Sequence, residues 1–163
     1  MVGKEKGKRE RDQTRGRAVE KGGGRGANPG VADLQGLGRR RMVLTEATVR
    51  NLVRFQLGAE QEMAAAAGGR VRHLKLHGAL ANMASEDPAI ARCCYEAALD
   101  IAPQIIIMVL AATAMEDVVR DLGCAWAGEI FADRSYNDDA TLTDRSLPGA
   151  VLHDPDQAAA HVV

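Results

Sequence analysis

From residue 42 onward the apolar positions alternate between two rhythms. Between Thr45 and Ala67 they recur as Val49, Leu52, Val53, Leu57 and Met63, the spacing of a helix with one buried face. Thr45 supplies an N-cap, and Gly68 and Gly69 a stop. Residues 71–76 then read as a short strand. Asp87 followed by Pro88, a cap and a first-turn proline, opens a helix to about Leu99. Residues 104–110 (QIIIMVL) form a continuous apolar run, which predicts a strand buried on both faces. A charge placed at Ile106 is therefore expected to be buried and unpaired. Thr113 and Glu116 have the capping-box spacing for a helix that ends at Gly123. Residues 124–130 read as a further strand, and Asp154 with Pro155 opens a last helix.

Strands alternating with helices predict an α/β fold whose parallel sheet is covered by helices. About three strands are convincing. A closed eight-stranded barrel takes about 250 residues, so an incomplete (β/α) barrel is expected over residues 26–163.

The front of the chain is of another kind. Residues 1–25 carry nine Lys or Arg against four Asp or Glu, whereas the remainder carries 12 against 18. With so few apolar side chains, residues 1–25 are expected to be a disordered basic tail. The clustered bases make nucleic acid a conceivable partner, but interleaved acids and the lack of aromatic residues argue against it. GGGRGA at residues 22–27 fits GxGxxA only loosely and reads as a flexible linker. The longest apolar run has eight residues, Ile105 to Ala112, against about 20 for a bilayer span. No membrane association is expected, and without a secretory signal the cytoplasm is the default compartment. Cys93, Cys94 and Cys124 match neither a disulfide framework nor a zinc spacing.

Parallel α/β folds gather chemistry at the carboxyl ends of their strands. Three segments place polar groups there: residues 26–41 (GANPGVADLQGLGRRR), an irregular loop; residues 73–82 (HLKLHGALAN); and residues 128–145 (GEIFADRSYNDDATLTDR), a strand end with a long polar loop. Alternation puts His73, Lys75 and His77 on one face of a strand. His73 and His77 would be about 13 Å apart there, too far to share a metal, and no metal is expected. Lys75 and His77 could be reacting groups or merely solvent-facing. Glu129, Asp133 and Arg134 could form a substrate site or a structural ion-pair cluster. No GxxxxGK[ST], GxSxG or HExxH sequence is present.

The same three segments resemble the LamB/YcsF family of 5-oxoprolinase A subunits. GANPGVADLQGLGRR is similar to its GAHPxxPDxxGFGRR, HLKLHGALAN to its HVKPHGALYN, and GEIFADRSYNDDATLTDRSLPGAVLHDP to its EAFADRxYxxDGxLxxRxxxGAxIxD. The resemblance implies a barrel of the glycoside hydrolase/deacetylase type. It implies a subunit that, with partner subunits B and C and ATP, opens the small-molecule lactam 5-oxoproline to glutamate, by phosphorylation of the lactam carbonyl and attack of water. It assigns catalysis to Lys75, His77, Glu129, Asp133 and Arg134, and substrate binding to Asn82, Arg145 and Asn28. Lys75 and Arg134 would stabilise negative charge; His77 or Glu129 would move protons. The family's DLNADxGE and CGFHAGD segments are not found, and its histidine before proline is Asn28. The chain is therefore expected to be a truncated 5-oxoprolinase A subunit, with a non-catalytic remnant or a basic-tailed binding protein as the alternative.

Overall fold

A computed structural model describes residues 25–160. The expectation of a disordered tail lies, up to residue 24, outside the described residues. The elements in order are β1 (Arg25–Ala27), α1 (Glu46–Ala66), β2 (Val71–Lys75), α2 (Gly78–Glu86), α3 (Pro88–Leu99), β3 (Ile106–Leu110), α4 (Ala114–Leu122), β4 (Trp126–Glu129) and α5 (Pro155–Ala160). The four strands form one parallel sheet in the order β1-β2-β3-β4. That sequential order needs only right-handed crossovers, which leave the connecting helices on one face of the sheet.

Helix boundaries follow the caps. The Thr45 Oγ1 accepts from Thr48 N at 3.2 Å, the Asp87 Oδ1 from Ala89 N at 2.8 Å, and the Thr113 Oγ1 from Met115 N at 3.3 Å. Each satisfies one of the amides that a helix start leaves without a partner. Gly123 closes α4 in the left-handed conformation, at φ 62°.

Two elements depart from the sequence reading. Arg25 and the end of the GGGRGA stretch are strand β1 rather than linker, because Arg25, Gly26 and Ala27 pair with β2. Residues 78–86 form the additional helix α2. The strand before it stops at Lys75, so alternation does not extend to His77.

The core lies between the sheet and the helices. Leu74, Ile107 and Val109 point into it, and Val49, Val53 and Leu57 of α1, Tyr95 of α3 and Val119 of α4 meet them there. The opposite face of the sheet is open. His73 and Lys75 of β2 are in register with Ile106 and Met108 of β3 on that face, and Ile106 is 41% exposed. The expectation that residues 104–110 are buried on both faces is thus corrected: β3 is an interior strand with one face uncovered. No helix among the described residues is long and apolar enough to cross a membrane.

Candidate functional site

The four strands end together. Asn28 follows the last residue of β1, Lys75 closes β2, Leu110 closes β3 and Glu129 closes β4. All four line one cavity of about 590 Å³ at the carboxyl ends of the strands.

Lys75 and Glu129 are its centre. Lys75 Nζ donates to Glu129 Oε2 at 2.6 Å and lies 4.6 Å from the centroid of the Phe131 ring. The two side chains are 31% and 18% exposed, so the pair is shielded yet reachable. Glu129 Oε1 has no donor among the described residues and remains available to a ligand or water.

His77 stands at the N-cap position of α2. Its backbone N–H donates to Pro29 O at 2.8 Å, and its ring Nε2 lies 2.9 Å from Leu37 O. A carbonyl only accepts, so Nε2 carries the proton in this contact. His77 thereby ties the loop of residues 28–41 to β2. The next residue, Gly78, has φ +57°, and a Cβ there would lie 2.4 Å from Gly38 O; only glycine fits this junction. Asn28 is engaged likewise. With its amide oriented by the surrounding acceptors, its nitrogen donates to Ala27 O and Lys75 O, both at 3.2 Å.

The same loop is braced by Asp33, which is 9% exposed and accepts from Gly36 N and Arg40 Nε, each at 3.0 Å. The Arg40 guanidinium holds its carboxyl well below the usual carboxylate range.

The long polar loop after β4 folds back on itself. Ser135 N donates to Ala150 O at 3.2 Å, Asn137 N to Thr141 O at 2.8 Å, and Leu152 N to Asp133 O at 2.9 Å. This ladder buries Arg134, whose Nε donates to Ala150 O at 3.0 Å and Nη2 to Thr143 O at 2.7 Å.

Lys75, His77, Asn28 and Asn82 line the cavity, together with Glu129, Arg134 and Arg145. Asp133 does not; its side chain is exposed outside the lining, and its carbonyl serves the loop ladder. Sequence reasoning did not single out Arg39, Met108, Phe131 and Asp144, which also line the cavity. Arg39 and Asp144 sit in the loop segments already marked as candidates, whereas nothing local distinguishes Met108 from its core-facing neighbours. Among the described residues no cluster of three or more His, Cys, Asp or Glu could hold a metal ion.

A sequential parallel sheet alternating with helices, with a charged pair across its strand ends, defines a protein of the α/β class. Known relatives narrow that class. The model of the LamB/YcsF family matches residues 9–163, a span that begins within the basic segment. The chain is 65% identical over 141 residues to the 5-oxoprolinase A subunit of Ruegeria pomeroyi, covering 86% of this chain and 56% of that protein. It is 47% identical over 138 residues to the protein of the same name from Alkaliphilus metalliredigens, covering 85% and 54%. The crystal structure of the lactam utilization protein from Thermus thermophilus superposes with a TM-score of 0.82 at 35% identity, over 91% of this chain and 60% of that one. The chain belongs to the LamB/YcsF family and spans about half the length of the curated relatives it matches.

Proposed function

We propose that the chain provides the lactam site of an ATP-dependent 5-oxoprolinase, acting with partner subunits B and C to open 5-oxoproline to glutamate. The observation that carries this reading is the Lys75–Glu129 pair, held at 2.6 Å in the cavity at the strand ends. Ring opening adds water across the amide: hydroxide joins the carbonyl carbon, the C–N bond breaks, and the nitrogen leaves with a proton. Glu129, with Oε1 unpartnered among the described residues, takes the proton from the attacking water. Lys75, with the Phe131 ring against its Nζ, faces the carbonyl oxygen as negative charge grows there. His77 and Asn28 keep the surrounding loop in place. ATP, when bound to the assembled enzyme, supplies the activation that an unstrained amide requires.

The test is ATP-dependent glutamate release with purified partner subunits, comparing the chain with Lys75→Ala and Glu129→Ala. The reading expects each variant to be slower by about 100-fold or more, the usual scale for losing a proton-transfer group at Glu129 or a charge-stabilising donor at Lys75. Equal turnover by all three proteins would overturn it. A second reading, a lactam binder that does not turn over, draws on Asn28. This residue has no proton to exchange near neutral pH, and its amide is already used by backbone carbonyls. It expects background release from all three proteins together with 5-oxoproline binding to the parent.

A further inference from the structure

The cavity holds more positive charge than its own acids neutralise. Arg39, Lys75, Arg134 and Arg145 line it against Glu129 and Asp144. Lys75 and Glu129 take each other. Asp144 Oδ1 is occupied by Ser146 N at 2.8 Å and Ser146 Oγ at 2.7 Å. Among the described residues, no carboxylate lies within ion-pair distance of Arg134 or Arg145.

Arg134 is the telling member, because it is only 4% exposed. Two neutral carbonyls, of Ala150 and Thr143, fix the plane of its guanidinium. Its remaining nitrogen, Nη1, makes no hydrogen bond among the described residues. A buried cation without a counter-charge in contact is costly. Burial, and then the positive charge of Arg145, lower the Arg134 pKa from its ordinary value against the opposing pull of Asp133, Tyr136 and Asp144. An anion arriving from outside would supply the counter-charge that this guanidinium lacks. The charged donors left on it suit an oxygen of a carboxylate or a phosphate.

We infer that Arg134, with Arg145 beside it, is the anion-recognition element of this cavity and takes a small oxyanion. Resting on the function proposed above, that oxyanion is the carboxylate of the lactam acid and not its reacting carbonyl. Arg134 then acts in ground-state binding, anchoring the end of the substrate that does not react. The Lys75–Glu129 pair is left for the amide.

The experiment is calorimetric titration of the full chain with three probes: 5-oxoproline, 2-pyrrolidinone (the same ring without the carboxylate) and inorganic phosphate. Parent, Arg134→Gln and Arg145→Gln are compared, each in low salt and in about 0.5 M NaCl, where exposed charges are screened. The expected result is 5-oxoproline binding at least about tenfold tighter than 2-pyrrolidinone, an advantage erased in Arg134→Gln and reduced several-fold in Arg145→Gln. Arg134 also braces the loop, so circular dichroism accompanies its variant. If Arg134→Gln fails to fold, Arg145→Gln carries the test, because that side chain is exposed and makes no hydrogen bond among the described residues. Equal affinity for the two lactams, unchanged in Arg145→Gln, would overturn this inference and leave the lactam reading standing. Phosphate binding that depends on Arg145, with neither lactam bound, would support the anion site and overturn the lactam reading. No binding of any probe would overturn both.

Discussion

Truncating two neighbours on β3 should show that its two faces differ. Ile107 is 0% exposed and faces the helices, whereas Ile106 is 41% exposed on the open face. Ile107→Ala removes three carbons from a closed environment, about 2.4 kcal/mol at ~0.8 kcal/mol per buried methylene. The cavity left behind raises the loss to about 3–4 kcal/mol. Ile106→Ala removes the same carbons from a site about three-fifths covered, which scales the transfer term to roughly 1.4 kcal/mol. No enclosed void adds to it. The gap of about 2 kcal/mol is readable in urea denaturation followed by circular dichroism. With a slope near 2 kcal/mol/M, the midpoint should fall by about 1.5–2 M for Ile107→Ala and about 0.7 M for Ile106→Ala. Equal losses would refute the one-sided burial of β3. Repeating the titrations over a range of protein concentrations separates an intrinsic covering layer from self-association, which would deepen only the Ile106 effect and only at high concentration.

Gly78→Ala should cost about 2 kcal/mol or more, since φ is +57° and the new Cβ would lie 2.4 Å from Gly38 O; an unchanged urea midpoint would contradict the junction described. The depressed Asp33 carboxyl contributes stability that is fully present above its unfolded value of about 3.9 and lost as pH falls through the lower folded value. Asp33→Asn should therefore lower the Tm at neutral pH and flatten its fall on acidification below about pH 4, as thermal scans across pH would record. Among the thiols, burial pushes Cys94 up to about 12 and raises Cys93 and Cys124 as well. Cys93 and Cys94 are buried and Cys124 is partly exposed. A disulfide reagent at about pH 8, near the ordinary thiol value, should modify Cys124 first and the others only on unfolding, as mass spectrometry of the labelled peptides would show.

The parts of the fold visible in the sequence are those governed by local chemistry. Thr45, Asp87 with Pro88, and Thr113 with Gly123 mark α1, α3 and α4 because capping is decided within a few residues. β1 could not be read, since three residues, one of them glycine, carry no apolar signature; pairing with β2 makes them a strand. The short helix α2 was hidden behind a strand alternation that stops at Lys75, two residues before His77. Continuous apolarity in β3 indicated an interior strand correctly but could not tell which of its faces would be covered. At the site, strand-end logic led to Lys75 and Glu129. The burial of Arg134 depends on a ladder between residues 133–137 and 141–152 that no local pattern announces.

The pair at the cavity's centre also acts as a gauge of sheet shape. Lys75 and Glu129 sit on strands separated by β3, so their backbones are roughly 10 Å apart, yet the charged atoms meet at 2.6 Å. Met108 is in register with Lys75 on the intervening strand and lines the same cavity. Met108 thus lies on the strand between the lysine and the carboxylate, beside the cavity in which they meet. A bulkier residue there would wedge the lysine and the carboxylate apart without altering either, and a smaller one would let them settle deeper. The geometry of the ion pair is in this way open to an uncharged residue on the strand between its partners.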